Sequence, residues 1–203
     1  MKIAVAGASG RAGARITAEL GRRGHAVTAI ARNPEKIAAQ PNVTPTKGDV
    51  LDQAGLTRLW AGHDVAISSV HFLASDAAKL IGAAKASKVG RYLVVGGAGS
   101  LEVAPGVRLV TTPNFPAQYK AEAEQGAALL DLLLQEKDLN WTFLSPSALF
   151  IDGERTAKFR LGTDQLLTAA DGKSWISFED YAVALADEIE RPAHIRKRFT
   201  VGY

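Results

Sequence analysis

The sequence predicts an α/β fold: a Rossmann-like, doubly wound, mostly parallel sheet with helices on both faces, three layers deep. Three observations carry this expectation. Short apolar runs and helical stretches alternate six times, most connections between them are short, and the first run ends in a turn with glycines at positions 7, 10 and 13.

In chain order, residues 2–6 form an apolar run ended by Gly7, and a helical stretch over about 11–23 follows, stopped by Gly24. Residues 25–31 read as a second strand, completing a βαβ unit. Residues 43–46 make a third strand, which Pro45 places near a sheet edge. Residues 53–60 are a short helix and residues 64–70 a fourth strand, after which Ser75 suits the N-cap of a helix to about 88. Residues 91–95 form a fifth strand closed by Gly96-Gly97. Both periods vanish over 98–116, where Pro105, Pro113 and Pro116 mark a long loop. Pro116 suits the first turn of a helix whose apolar stripe, Ala123, Ala127, Leu130 and Leu134, runs to about 137. Residues 141–145 are a sixth strand ending at Pro146, then come an irregular segment to 173, a strand over 174–177, a helix over 178–190 and a last strand over 199–203.

Composition narrows the function classes. At 203 residues, 47% hydrophobic and 22% charged, the chain fits one domain over 1–203, with 146–203 elaborating the substrate side above the carboxyl ends of the strands. The 19 Gly and 8 Pro are spread along it, against disorder and low complexity. No 18-residue uncharged apolar run and no signal-type leader are visible, so a cytoplasmic protein with no membrane partner is expected. Absence of Cys removes disulfides, thiolate nucleophiles and Cys-ligated zinc, and no metal site is expected. The net charge is +3, and the longest basic block, Arg196-Lys197-Arg198, reads as a solvated face rather than a nucleic-acid surface.

The chemistry starts at Gly7-Ala8-Ser9-Gly10-Arg11-Ala12-Gly13, between the first strand and the first helix. A diphosphate must approach backbone where a Cβ would collide, and must meet unpaired N–H groups at the positive end of a helix. Gly7 allows the sharp turn, Gly10 admits the diphosphate, and Gly13 lets helix and strand pack closely; the spacing is G-x-x-G-x-x-G, not the G-x-G-x-x-G fingerprint. About 20 residues on, an NAD site places an acid for the ribose 2′-OH. Here Arg32 follows the second strand instead, and Arg11 adds a second cation, so NADPH is expected over NADH.

At these residues the chain resembles the short-chain dehydrogenase/reductase superfamily, in its atypical NAD(P)H-binding branch labelled NADH-flavin reductase. The resemblance spans the whole chain, on the glycine turn, residues 31–36, Lys47-Gly48-Asp49-Val50, residues 94–101, Pro113-Asn114-Phe115-Pro116, residues 141–146 and 176–182. It implies that Ser9, Gly10, Arg11, Ala12 and Gly13 hold the diphosphate, that Asp49 and Val50 hold the adenine, that Ser68, Ser69 and Val70 line ribose and diphosphate, and that Leu144, Ser145 and Pro146 face the nicotinamide carboxamide. On the residues alone, Asp49 reads equally as a turn-capping side chain, and Ser68 and Ser69 as hydroxyls of a buried strand.

The superfamily's Tyr-x-x-x-Lys pair is incomplete: Tyr119 is followed at the fourth position by Ala123, and Lys120, adjacent, lies on another helix face. The catalytic candidates are therefore Tyr119, Ser100 at the position of the superfamily's serine, and His71 in the loop after the fourth strand. Reactions needing a strong proton donor fit poorly, whereas an oxidised flavin takes hydride at N5 and needs little from the protein beyond ring stacking. The expectation is an NADPH-dependent reductase of a flavin (FMN or FAD) or a flavin-like or quinone acceptor, acting as monomer or homodimer on a small molecule. The competing reading is a non-catalytic NAD(P)H-binding sensor of the same fold.

Overall fold

Alternation along the first strand decides the architecture. In β1 (Lys2–Ala6), Ile3 and Val5 face one apolar layer while Ala4 and Ala6 face another, and all four are fully buried. A strand buried on both faces needs helices on both sides. The computed structural model describes all 203 residues and supplies them.

After β1 come α1 (Arg11–Arg22), β2 (Ala26–Ala31), β3 (Val43–Lys47), α2 (Gln53–Trp60), β4 (Val65–Ser68), α3 (Ala77–Ser87), β5 (Arg91–Val95), β6 (Glu102–Ala104), β7 (Val107–Arg108), α4 (Ala117–Gln135), β8 (Trp141–Pro146), β9 (Leu149–Ile151), β10 (Arg160–Gly162), β11 (Trp175–Ser177), α5 (Phe178–Glu190) and β12 (Lys197–Gly202). The main sheet has the order β10-β12-β8-β5-β4-β1-β2-β3, parallel throughout except for β10 against β12. Chain order reverses on either side of β1, leaving a switch point beside β4. One face is covered by α1 and α5, with Ile16, Leu20, Tyr181 and Leu185 in its core, and the other by α2, α3 and α4, with Trp60, Leu80 and Leu130.

Several elements depart from the sequence reading. The cap of α3 is Asp76, whose carboxylate accepts the Lys79 N–H at 3.0 Å, not Ser75. The buried face of α4 is Gly126, Ala127, Leu129, Leu130 and Leu133, while Leu134 is exposed, so the stripe is rotated from the one expected. The loop 98–116 contains the β6–β7 hairpin, and the segment 146–173 contributes β9, paired with β11, and β10. Both α5 and β12 belong to the main layers, since α5 packs on α1 and β12 pairs with β8. Arg198 is not part of a solvated basic face: its guanidinium is 6% exposed and holds Asp164. Pro45 does lie in the edge strand β3, where its missing N–H costs no sheet bond.

The irregular stretch 152–158 is fastened to the α1/α5 face by buried carboxylates. Asp180 accepts from the Ala157 N–H at 2.7 Å and the Tyr203 hydroxyl at 2.8 Å. Glu19, on α1 and buried, receives Arg155 at 2.9 and 3.0 Å, Arg23 at 2.8 Å, and Arg22. Burial alone would raise the Glu19 pKa, but hydrogen bonds from Arg155, Arg22 and Arg23 outweigh it and bring it down to about 2 from 4.5. A depressed carboxylate pKa contributes stability above about 4.5 that is lost as pH falls towards about 2. Glu19→Gln should therefore be clearly less stable than the parent in urea at pH 7, and the gap should shrink by about 2 kcal/mol at pH 3. A gap that does not change with pH would show that the three arginines do not hold this carboxylate.

Candidate functional site

The glycine turn is built by close approach. Gly7 has φ +82°, and a Cβ there would lie 2.0 Å from the Ser69 carbonyl oxygen and 2.9 Å from Val70 Cγ1. At Gly13 a Cβ would lie 2.1 Å from the Gly7 carbonyl oxygen. These two glycines pull β1, the start of α1 and the end of β4 into contact. Gly10 differs: it is exposed, its φ is −77°, and a Cβ would meet only the Gly7 oxygen at 3.3 Å. Its Cβ position opens towards the space a diphosphate would take.

The amides lie beside that space. The first helical bond runs from the Ala14 N–H to the Gly10 carbonyl at 2.8 Å, and no side chain caps α1. The N–H groups of Arg11, Ala12 and Gly13 consequently have no partner in the chain, and no acid sits in the first turn. Three free amides at the positive end of a twelve-residue helix, lined by a missing Cβ, fit a diphosphate.

The two cations of the turn have different fates. Arg32, just past β2, is exposed and carries no ion pair. Arg11 is committed: its guanidinium pairs with Asp152 and lies 4.8 Å from the Phe178 ring centroid. Arg15 adds a bond to Asp152 at 2.8 Å and one to Glu179 at 3.0 Å. The Arg11 guanidinium holds the Asp152 carboxyl below its usual range.

The other cofactor candidates fall into two groups. Asp49 is exposed, with one oxygen accepting the Leu51 N–H at 3.0 Å and the other open; it caps its turn and can still accept a bond. Val50 is half-buried against the α2/α3 layer. Ser9 is exposed beside Gly10, and Ser69 and Val70 stand against Gly7. Ser68 points elsewhere, its buried hydroxyl bonded to that of Tyr92 at 2.9 Å. Burial is the main cause that raises the Tyr92 pKa. Leu144 and Ser145 are fully buried, and the Leu144 carbonyl already accepts from the Gly96 N–H at 2.8 Å and the Tyr181 hydroxyl at 2.7 Å. The Ser145 hydroxyl is buried without a partner, and Pro146 is paired into the sheet opposite Val201.

The catalytic candidates are not brought together as a relay. Ser100 is buried, its hydroxyl 3.5 Å from the Arg198 guanidinium. Tyr119 is 61% exposed on the first turn of α4. One turn on, Ala123 lies so close to the loop after β5 that a Cβ on Gly99 would be 2.8 Å from its own, leaving a lysine little room there. His71 is exposed, with Nδ1 3.3 Å from Glu122 Oε1. Glu122, Asp152 and Phe178 were invisible to sequence reasoning, because their contacts join residues 51, 141 and 167 positions apart with no local pattern to mark them. A polar groove of about 390 Å³ runs along α1 beside Arg15, Arg22 and Arg155, but its arginines are already paired with Glu19, Glu179 or Asp152.

Comparison with known proteins agrees with this geometry. Residues 7–192 match the model of a family described as NAD(P)H-binding. The Bacillus subtilis protein YwnB is 41% identical over 99% of this chain and 98% of its own. A candidate exported protein from Burkholderia pseudomallei is 44% identical, covers both chains completely and superposes with a TM-score of 0.89. A candidate NADH-flavin reductase from Streptococcus pneumoniae is 38% identical over 100% of this chain and 99% of its own, with a TM-score of 0.81.

The glycines should separate by role. Gly10→Asp, whose Cβ would meet only the Gly7 oxygen at 3.3 Å, should stay folded yet show no dinucleotide binding by calorimetry, because its carboxylate occupies and repels the diphosphate. Gly13→Ala should instead lose about 1–3 kcal/mol of stability in urea, because its Cβ collides with backbone. Binding by Gly10→Asp at the parent affinity would show the turn is not the diphosphate site.

Proposed function

The chain belongs to the NAD(P)H-binding family, and from that premise we propose that it is an NADPH-dependent oxidoreductase that reduces a flavin or a flavin-like or quinone acceptor. The observation that carries the reading is the set of three free amides at Arg11, Ala12 and Gly13, with Arg32 exposed and without an ion pair just past β2. In this reading the amides bind the diphosphate, Arg32 bonds the 2′-phosphate with its planar fork, and the open oxygen of Asp49 accepts from the adenine amine. The bound nicotinamide supplies hydride; the protein holds the acceptor ring against it. The resemblance to the Streptococcus pneumoniae protein, whose name carries flavin reduction, supports the acceptor class.

The protonation machinery supports it from the other side. Tyr119 has no cation one turn onward, and Ser100 is sealed off, so the chain lacks the relay that carbonyl reduction uses. The same observation favours the second reading, an NAD(P)H-binding sensor that does no chemistry. No helix is long and apolar enough to cross a membrane. The reading places the enzyme in the cytoplasm, as monomer or homodimer, with a small molecule as its partner.

Two experiments test the reading. Arg32→Ala should weaken NADPH by about 1.5–3 kcal/mol, the range of charge-assisted hydrogen bonds, and leave NADH nearly unchanged in the same titration. Equal losses would remove Arg32 from the 2′-phosphate. In steady state, FMN, FAD or quinones should be reduced faster than aldehydes or ketones of similar size, and Tyr119→Phe should keep flavin turnover within about tenfold, about 1.4 kcal/mol of barrier. Tight NADPH binding without turnover on any acceptor would favour the sensor.

A further inference from the structure

The turn after β4 carries an imidazole that α4 holds in a defined state. Glu122 sits on α4 with its carboxylate turned onto residues 71–73: Oε1 accepts the Phe72 N–H at 2.7 Å, Oε2 accepts the Leu73 N–H at 2.9 Å, and His71 Nδ1 lies 3.3 Å from Oε1. Two backbone bonds fix the carboxylate, so it cannot follow the imidazole; the imidazole must orient to it. A carboxylate only accepts, which makes Nδ1 the protonated nitrogen and leaves Nε2 for the outside. His71 is 88% exposed at its side chain, so nothing in the chain takes Nε2.

The place of this imidazole matters as much as its state. Val70, before it, stands against Gly7 in the diphosphate turn. Phe72, after it, fills the space that glycines leave at two other elements: a Cβ on Gly126 of α4 would lie 2.6 Å from its ring, and one on Gly97 after β5 would lie 3.3 Å away. His71 is thus fixed where the diphosphate turn, the end of β5 and α4 converge, at the carboxyl ends of the strands. Of the other titratable groups on the adjoining elements, Asp76 caps α3, Lys79 donates to the Leu51 carbonyl at 3.0 Å, and Tyr119, Lys120 and Glu124 of α4 are exposed without an ionic partner.

We propose that His71 is the proton donor for acceptors that need one, quinones above all, and that Glu122 is its positioning residue; this rests on the reductase reading above. Reduction of a quinone consumes one hydride from the nicotinamide and one proton. The Nε2–H bond of the imidazolium breaks, an O–H bond forms on the quinone oxygen that is left negative, and neutral imidazole remains with its Nδ1–H donated to Glu122. Solvent returns the proton to Nε2 before the next turnover. Nothing is oxidised but the nicotinamide, and the quinone leaves as hydroquinone. The proton donor is thus a histidine on the turn after β4, held by a glutamate on α4.

Two measurements on the full chain test this. Histidine ¹⁵N spectra, taken where the ring is neutral, should show His71 as the Nδ1–H tautomer, and Glu122→Gln should move it towards the Nε2–H form. With NADPH and a soluble benzoquinone, His71→Gln should lower kcat at least tenfold while NADPH affinity stays within twofold, and Glu122→Gln should lower kcat more than it changes KM. His71 is exposed, so its variant should stay folded, with a urea unfolding midpoint equal to the parent's. An Nε2–H tautomer in the parent, or a His71→Gln variant with the parent's kcat, would overturn the proposal while leaving the reductase reading intact. A parent that binds NADPH, shows the Nδ1–H tautomer and turns over no acceptor would overturn both.

Discussion

The turn at Gly7 can exist only because neither Gly7 nor Gly13 carries a Cβ, and the rest of the site is arranged around that contact. A methyl group at either place would lie 2.0 or 2.1 Å from a backbone carbonyl oxygen, far inside van der Waals contact, where no rotamer offers relief. Because the contact is allowed, α1 begins directly above the end of β1, and its first three amides face the crevice at the switch point instead of a side chain. Gly10 does not share in the contact. It is an open position on a tightly built turn, and the distinction between the two kinds of glycine is the strongest structural sign of a ligand.

Much of this was legible in the chain. The alternation of buried strands and helices follows from residues such as Ile3 and Val5 against Ala4 and Ala6, a run apolar on both faces that only a covered parallel sheet can accept. The turn was legible too, because three glycines in seven residues have few other uses. What local sequence could not carry was the part made by long-range charge pairs. Arg11 looks like a phosphate ligand until Asp152, 141 residues away, is found on it. Glu19 looks like a surface acid of an amphipathic helix until Arg155 is found to bury it. Ser68 and Ser145 occupy strand ends where a ligand is expected, but the side of the sheet on which each hydroxyl falls depends on register, and both fall inside.

The two halves of the cleft are held by different physics. The diphosphate side is a matter of backbone and sterics and leaves amides free. The side formed by α4 is a matter of side chains from segments far apart: α4 is pressed onto the turns after β4 and β5 through Gly126, Ala123 and Gly99, and Glu122 fastens the first of them. On the outer face, Asp152, Glu179, Glu19 and Asp180 fasten the chain after β9 to α1 and α5. Arg11 is drawn into that second network and stacked on Phe178, whereas Arg32 is exposed and carries no ion pair.

The central claim is that the free amides at the start of α1 receive the dinucleotide's diphosphate, and amide NMR reads those groups one by one. On titration with NADPH, the N–H resonances of Arg11, Ala12 and Gly13 should show the largest shifts in the chain and become protected from exchange with solvent, while Ala14, already bonded to Gly10, should change less. If NADPH binds and these three amides neither shift nor gain protection, the diphosphate lies elsewhere and the account of the turn is wrong.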